Sequence, residues 1–326
     1  MLAIKRLARG FYRLLLPTVV LFVLSFIGAA VWLVHKISEP PKSPYLLTPD
    51  KYGLLSTRAA KITDEKWSNR DGSQTRGWLL RGREGAPAVI LLHRYGADRS
   101  WVLNLGVKLN EATDFTVLMP DLRGHGESPL IYRTTFSGTE AEDLFAAIDY
   151  LRGLKSEENN TLVAREIGLY GVELGALTAI SVAAKETNVK ALVADSVPYN
   201  SNDLLKSAVG KRYPFAGFLT AKFAQGGTYL YYFNGYNGTY NRDSMCELAK
   251  TISNRKVLLL ASTETADLQD STSRIAACFP NHAEVEKKLD LMPSGYNYNS
   301  ATNEQGGTYD LRVIDFFRNS LSPAVE

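Results

Sequence analysis

Eleven residues near the middle of the chain, Ile167-Gly168-Leu169-Tyr170-Gly171-Val172-Glu173-Leu174-Gly175-Ala176-Leu177, limit its fold more than any other stretch. A short apolar strand runs into a turn bracketed by Gly171 and Gly175, and a helix of small residues leads away toward Ala184. Paired glycines let a strand and a helix meet sharply with their backbones almost touching. A strained strand-to-helix turn of this kind lifts one side chain above a parallel sheet. Here the lifted residue is Glu173.

The neighbouring stretches supply such a sheet. Ala88-Val89-Ile90-Leu91-Leu92 is a continuous apolar run of the kind buried on both sheet faces, and Phe115 to Met119, Ala191 to Ala194 and Lys256 to Leu260 resemble it. Helices are expected from about Trp101 to Asn110 and from Thr139 to Leu154. In the second, Leu144, Ala147, Ile148 and Leu151 share a face, and Thr139 with Glu142 can form a capping box. The last strand is expected at Leu289 to Met292 and the last helix at Tyr309 to Asn319. Ahead of them, Lys61 to Ser68 and Thr75 to Leu80 flank Asn69-Arg70-Asp71-Gly72-Ser73, a hairpin signal. Strands alternating with helices predict an α/β fold: a doubly wound, mostly parallel sheet with right-handed crossovers. An aromatic-rich cap insert at about 202–241 interrupts the pattern. Its tyrosine-dense centre, Gly226 to Tyr236, is a cap packed over the sheet edge, a lid lining a pocket, or an aromatic surface at a membrane.

The N-terminus reads differently. Leu14 to Val34 carries no charged side chain and matches the roughly 20 residues that a helix needs to cross a bilayer. Lys5, Arg6, Arg9 and Arg13 precede it, so 1–13 is expected as a cytoplasmic basic tail and 14–34 as a transmembrane signal-anchor. The remainder then lies on the exoplasmic or periplasmic side. A cleaved signal peptide competes, because Gly28-Ala29-Ala30 suits a signal peptidase, but the apolar run continues through Val34. Residues 35–55, with Pro40, Pro41, Pro44 and Pro49, read as a stiff linker holding a folded domain, 56–321, off the membrane. With 37 basic and 34 acidic residues and no basic stripe, a nucleic-acid partner is excluded. Membrane contact through the N-terminal helix, and a small molecule or protein still to be identified, are the expected partners. Cys246 and Cys278 show no metal-ligand spacing; no metal or other cofactor is expected, and one disulfide is permitted without being required.

Four motifs follow one another between Lys61 and Asn319: His93-Arg94-Tyr95-Gly96, Pro120-Asp121-Leu122-Arg123-Gly124-His125-Gly126-Glu127-Ser128, the turn from Gly171 to Gly175, and Val193-Ala194-Asp195-Ser196. In type and order they resemble the α/β-hydrolase superfamily, in particular its bacterial membrane-anchored serine esterase or aminopeptidase-like branch. That family carries H-G-x-G in the first motif and the nucleophile elbow G-x-S-x-G in the third. The resemblance implies a hydrolase with a nucleophile, a histidine base and an orienting acid. It places the oxyanion hole around Arg94, Tyr95 and Leu174.

Position by position, the chain departs from that pattern. Glu173 occupies the nucleophile position. In the segment before the last helix, Leu291-Met292-Pro293-Ser294-Gly295-Tyr296-Asn297-Tyr298, Tyr296 stands where the family has its histidine. The acid position offers Glu264, Thr265 and Asp267, with Asp267 the candidate. His282 precedes the last strand, and His93 and His125 sit in loop motifs where such residues brace backbone turns. Asp121 and Arg123 are expected to hold the loop after their strand. Arg94, which replaces a glycine, is either solvated or paired with Glu173.

A glutamate ester intermediate would still need a histidine-activated water, and glutamate is one methylene longer than the aspartate some branches use. A helix N-terminus with oxyanion-hole N–H groups stabilises an anion. Glu173 is therefore expected to accept those N–H bonds and plug the hole. This reading makes the chain a pseudoenzyme that works by binding. Its rival is an active hydrolase, of EC class 3 and esterase-, peptidase- or lipase-like, with a rearranged non-serine site. Asn159-Asn160-Thr161 and Asn237-Gly238-Thr239 match the glycosylation pattern.

Overall fold

The computed structural model describes residues 2–42, 44–45, 47–53, 60–127, 132–214, 217–236, 238–240, 242–291, 294–296 and 305–321. The apolar runs of the sequence become strands of one eight-stranded sheet. β1 (Ile62–Ser68) and β2 (Gln74–Leu80) form the expected hairpin. β3 (Ala86–Leu92) and β4 (Thr116–Pro120) are buried at every position. β5 (Val163–Val172), β6 (Val189–Asp195), β7 (Lys256–Ser262) and β8 (Glu284–Leu291) complete the sheet in the order β1-β2-β4-β3-β5-β6-β7-β8. β3 to β8 run parallel, while β1 and β2 pair antiparallel, so the expected doubly wound sheet is present. The chain leaves β3 toward β4 on one side, and β5 lies on the other. That reversal is a topological switch point, where a crevice opens at the carboxyl ends of the strands.

The helices are α1 (Leu2–Ser38), α2 (Pro49–Gly53), α3 (Leu103–Thr113), α4 (Gly138–Gly153), α5 (Leu174–Ala183), α6 (Ser201–Arg212), α7 (Gly217–Gly235), α8 (Met245–Ala249), α9 (Ala266–Ala276) and α10 (Gln305–Leu321). Several boundaries differ from expectation for local reasons. A 3₁₀ turn at Arg99–Trp101, capped by the Asp98 carboxylate, takes the place of the expected start of α3. The cap of α4 is at Ser137 and Glu140 rather than Thr139 and Glu142: the buried Glu140 carboxylate accepts the Ser137 N–H at 3.1 Å and the Thr135 N–H at 2.8 Å. β8 starts at Glu284, five residues before Leu289. As an edge strand it alternates charge and partial burial (Glu284, Glu286, Lys287 and Lys288 are exposed), so no apolar run marks it. Met292, the expected end of that strand, lies outside the described residues.

Two compact units divide the chain: Met1–Ile37 with Leu205–Gly238, and Ser38–Leu204 with Thr239–Glu326. In the smaller unit, α1 includes a stretch, Leu15–Ser38, long and apolar enough to cross a membrane, and α7 packs along it. The helix continues beyond the expected end at Val34. In the larger unit, the described part of the segment expected as a stiff linker is fastened to the domain. Ser38 accepts the Thr134 N–H at 2.8 Å, and Tyr45 donates to Asp121 at 2.8 Å while its ring meets Trp78 edge-on at 5.2 Å. Proline stiffness made this stretch look like a spacer; Tyr45 and Leu47, which pack against the core, turn it into a strap. Cys246 and Cys278 form a disulfide. The Asn159 sequon lies in an exposed turn, and Asn237 of the second sequon is outside the described residues.

Candidate functional site

The Gly171–Gly175 turn forms at the carboxyl end of β5 as its glycines require. A Cβ on Gly171 would lie 2.2 Å from the Gly175 carbonyl oxygen, and one on Gly175 would lie 2.5 Å from that of Leu92. Between them Glu173 adopts φ 49° and ψ −102°, a left-handed conformation rare for a residue with a side chain. Bonds on both sides hold it there. Its N–H donates to the Asp195 carbonyl at 3.0 Å, and its carbonyl accepts the Leu177 N–H at 3.0 Å in the first turn of α5. The Glu173 side chain is fully buried, and its Oε2 accepts the backbone N–H of Tyr95 at 3.1 Å. Leu174, the other residue of the expected oxyanion hole, is the first residue of α5 and fully buried.

The loop after β3 carries Tyr95, and a pair of histidines fixes that loop to the one after β4. His93 Nε2 accepts the Leu122 N–H at 3.0 Å, and its Nδ1 donates to the Arg94 carbonyl at 2.9 Å. His125 mirrors it: Nε2 accepts the Gly96 N–H at 3.1 Å, and Nδ1 donates to the Arg123 carbonyl at 2.9 Å. Each loop thus lends an N–H to the other loop's histidine, and the rings meet edge to face at 5.1 Å. Burial pushes His93 down to about 4; burial, with the charge of His93, pushes His125 down to about 3. Both are neutral Nδ1–H tautomers with both nitrogens engaged, so neither has a free position to take a proton from a nucleophile. The expectation that they brace turns agrees with this geometry.

Asp121 and Arg123 hold the same region. The buried Asp121 carboxylate accepts the N–H groups of Arg99 and Glu127, each at 2.9 Å, and the Tyr45 hydroxyl. Arg123 grips Asp143 through two bonds, at 2.8 and 2.5 Å. Burial raises Asp143 to about 6 despite that grip.

The remaining candidates separate. The Arg94 guanidinium is not directed at Glu173: it donates to the Tyr95 carbonyl at 3.1 Å and lies over the rings of Trp101, at 4.5 Å, and Tyr296, at 5.4 Å. The expected Arg94–Glu173 pair is thus replaced by an aromatic clamp, which suits a planar cation that sheds water easily. Tyr296, at the base position, belongs to that clamp. Its preceding residue, Gly295, donates to the Asp195 carboxylate at 2.7 Å. Asn297 and Tyr298 of the same segment are outside the described residues. Asp267 sits exposed in the first turn of α9, and Glu264 is exposed as well. His282 lies with Lys190, Lys256 and Glu284 at the starts of parallel strands, opposite the edge that carries Glu173. His35 bonds the Tyr231 hydroxyl at 2.9 Å within the smaller unit.

One buried cluster escaped the sequence reading as a site. Asp195, at the end of β6, accepts from the Tyr309 hydroxyl at 2.6 Å, the Ser196 hydroxyl at 2.7 Å and the Gly295 N–H; Tyr309 and Tyr170 share a bond at 2.8 Å. Burial raises the Asp195 carboxyl and, with the nearby charge of Asp195, raises both tyrosines well above their ordinary value. The available signal was an acid placed directly after a fully apolar strand. A cavity of about 20 Å³ borders this cluster, lined by His93, Arg94, Trp101, Tyr170, Gly295 and Tyr309. That is room for about one water molecule.

No protein-family model matches the chain. Among curated proteins it is similar to the thiohydrolase aneE of Aspergillus aculeatus, 28% identical over 124 residues that cover 38% of this chain and 37% of that protein. Such matches span about a third to a half of the relatives' length. Among solved structures it is similar to the Pyrococcus furiosus esterase Pf2001, with TM-score 0.60, 20% identity, and coverage of 87% of this chain and 98% of the esterase. It is also similar to the α/β hydrolase GrgF of Penicillium, with TM-score 0.58, 14% identity, and coverage of 80% and 99%. The sheet order, the elbow at the end of β5 and these likenesses converge on one scaffold: the chain has the α/β-hydrolase fold.

Proposed function

We propose that this is a membrane-anchored α/β-hydrolase-fold protein that has given up triad chemistry and acts by binding a ligand or partner. The observation that carries this reading is the bond from the Tyr95 N–H to the buried Glu173 carboxylate. An oxyanion hole works by keeping its N–H donors for charge that develops in the transition state. A donor already engaged by a resident side chain contributes nothing to that charge. The two histidines nearest the elbow have both nitrogens engaged. On this reading Tyr296 and Asp267 do not serve as base and acid for Glu173, and Arg94 does not pair with it.

The anchor is α1, with its N-terminal basic residues on the cytoplasmic side. The Cys246–Cys278 disulfide supports this orientation, because such bonds persist in oxidising compartments outside the cytosol. The resemblance to esterases, and to a protein named as a thiohydrolase, favours the rival reading of an active hydrolase with a non-serine site.

The test is direct. The full chain, in detergent micelles, is challenged with a fluorophosphonate probe and with short-chain p-nitrophenyl esters. Neither labelling nor turnover above background is expected from wild type, Glu173→Gln or Glu173→Ser. Wild-type turnover that Glu173→Gln abolishes would establish the rival.

A further inference from the structure

We propose that the edge of the sheet opposite the elbow carries a second binding site, which takes a zwitterionic ligand of the amino-acid or short-peptide class. The site is independent of the elbow. Parallel pairing brings the first residues of neighbouring strands together: Ala191 of β6 faces Lys256 of β7, and Lys256 faces Glu284 of β8. Ile167 of β5 faces Val189 of β6, which puts Glu166 beside the start of β6. Around these starts lies an open cavity of about 320 Å³, lined by Glu166, Lys190, Arg255, Lys256, His282 and Glu284. Pockets for small ligands begin at about this size. In the order of the strands, the charges run Glu166, then Lys190, then Arg255 with Lys256, then Glu284. The cations stand in the middle, with a carboxylate on each side.

These charges do not neutralise one another. Among the described residues, no ion pair joins either glutamate to Lys190, Arg255 or Lys256. Lys256 Nζ donates to the Asn319 carbonyl at 3.3 Å. Arg255 is pinned to its own turn: Nη1 donates to the carbonyls of Ser253 at 2.8 Å and Asn254 at 3.2 Å. Its carbonyl accepts the Glu284 N–H at 3.0 Å. The Arg255 Nε–H is buried and meets no acceptor among the described residues. Burial holds Arg255 below its ordinary value, and Glu186, the carboxylate whose charge acts against that shift, is itself held by Arg152 at 3.3 Å and by Asn188. A partly buried guanidinium short of counter-charge calls for an anion. A simple anion would also meet Glu166, Glu284 and the C-terminal end of α10, which reaches the cavity at Ser320 and carries partial negative charge. A zwitterion answers both signs. Its carboxylate goes to Arg255 and Lys190, and its ammonium to a flanking glutamate.

The test is isothermal titration calorimetry on the full chain in detergent micelles. The probes are L-alanyl-L-alanine, its N-acetyl form, which lacks the ammonium, and its C-terminal amide, which lacks the carboxylate. The dipeptide is expected to bind, and each blocked form to bind about tenfold more weakly. In Lys190→Gln/Arg255→Gln the dipeptide and its amide should bind alike. In Glu166→Gln/Glu284→Gln the dipeptide and its N-acetyl form should bind alike. Absence of dipeptide binding at millimolar concentration overturns the site. A blocked form that binds wild type as tightly as the dipeptide overturns the zwitterion. Selectivity that survives in both double variants puts the binding elsewhere and overturns the site as well. The comparison of the three probes on wild type decides the matter if a variant fails to fold, and none of these outcomes bears on Glu173.

Discussion

Replacing Glu173 by alanine and by glycine separates two quantities that the structure combines at one residue. Both substitutions remove the carboxylate that accepts the Tyr95 N–H, so that loss cancels when the two variants are compared. They differ in backbone. Alanine keeps a Cβ at φ 49° and ψ −102°, whereas glycine adopts that conformation freely. Strain of this kind costs about 1–3 kcal/mol. Against it stands glycine's larger unfolded freedom, about 0.5–1 kcal/mol. The balance favours glycine by about 1 kcal/mol, the reverse of the order within a helix interior. At about 2 °C per kcal/mol for a domain of this size, Glu173→Gly should unfold about 2 °C above Glu173→Ala. The comparison is made by thermal unfolding of the full chain in micelles, followed by near-UV circular dichroism. If alanine is the more stable of the two, the elbow is not strained, and the neighbouring bonds do not force Glu173 into place.

The other expectations concern the frame around the site. At pH 5, about 1.5 units below the ordinary histidine value of 6.5, keeping His125 neutral costs about 2 kcal/mol. Its folded pKa is depressed, so this stability is present above 6.5 and is lost as pH falls toward 3. Asp98 and Asp143, both raised to about 6 by burial, act with the opposite sign, so the readout is the difference between wild type and His125→Gln. That variant should be less stable at pH 7.5 and show a shallower loss from pH 6.5 to 4; parallel profiles would refute the neutral brace. Cys246→Ser should lower stability by about 3.7 kcal/mol from the 32-residue separation it closes, measured by denaturation with and without reductant. Gly126→Ala should cost about 3 kcal/mol or more, because φ is +50° and the new Cβ would lie 2.2 Å from the Asp121 carboxylate; an unchanged melting temperature would refute the role of Asp121 as a hub.

How far the sequence spoke depended on the range of the interaction. Apolar runs such as Ala88–Leu92 act locally, and they became the central strands where they stood. The edge strand β8 did not announce itself, because Glu286, Lys287 and Lys288 carry no periodic apolar signal; pairing with β7 makes it a strand. Glu173 was legible as a misfit, since the glycines around it fix a backbone geometry that no long side chain prefers. Its partner was legible too, because the first residues after two adjacent parallel strands must meet at the switch point. Arg94 was not. Its choice between Glu173 and the rings of Trp101 and Tyr296 depends on where two distant loops come to rest, because Tyr296 stands some 200 positions further along the chain. The same holds for Asp195, whose donors Tyr309 and Gly295 arrive from more than 90 residues further along the chain. These long-range contacts bear on function. They gather Tyr170, Asp195 and Tyr309 into one bonded cluster at the carboxyl ends of β5 and β6. Under the proposed function, a serine placed at 173 would find, among the described residues, the scaffold of a hydrolase and two neighbouring histidines whose ring nitrogens are already engaged.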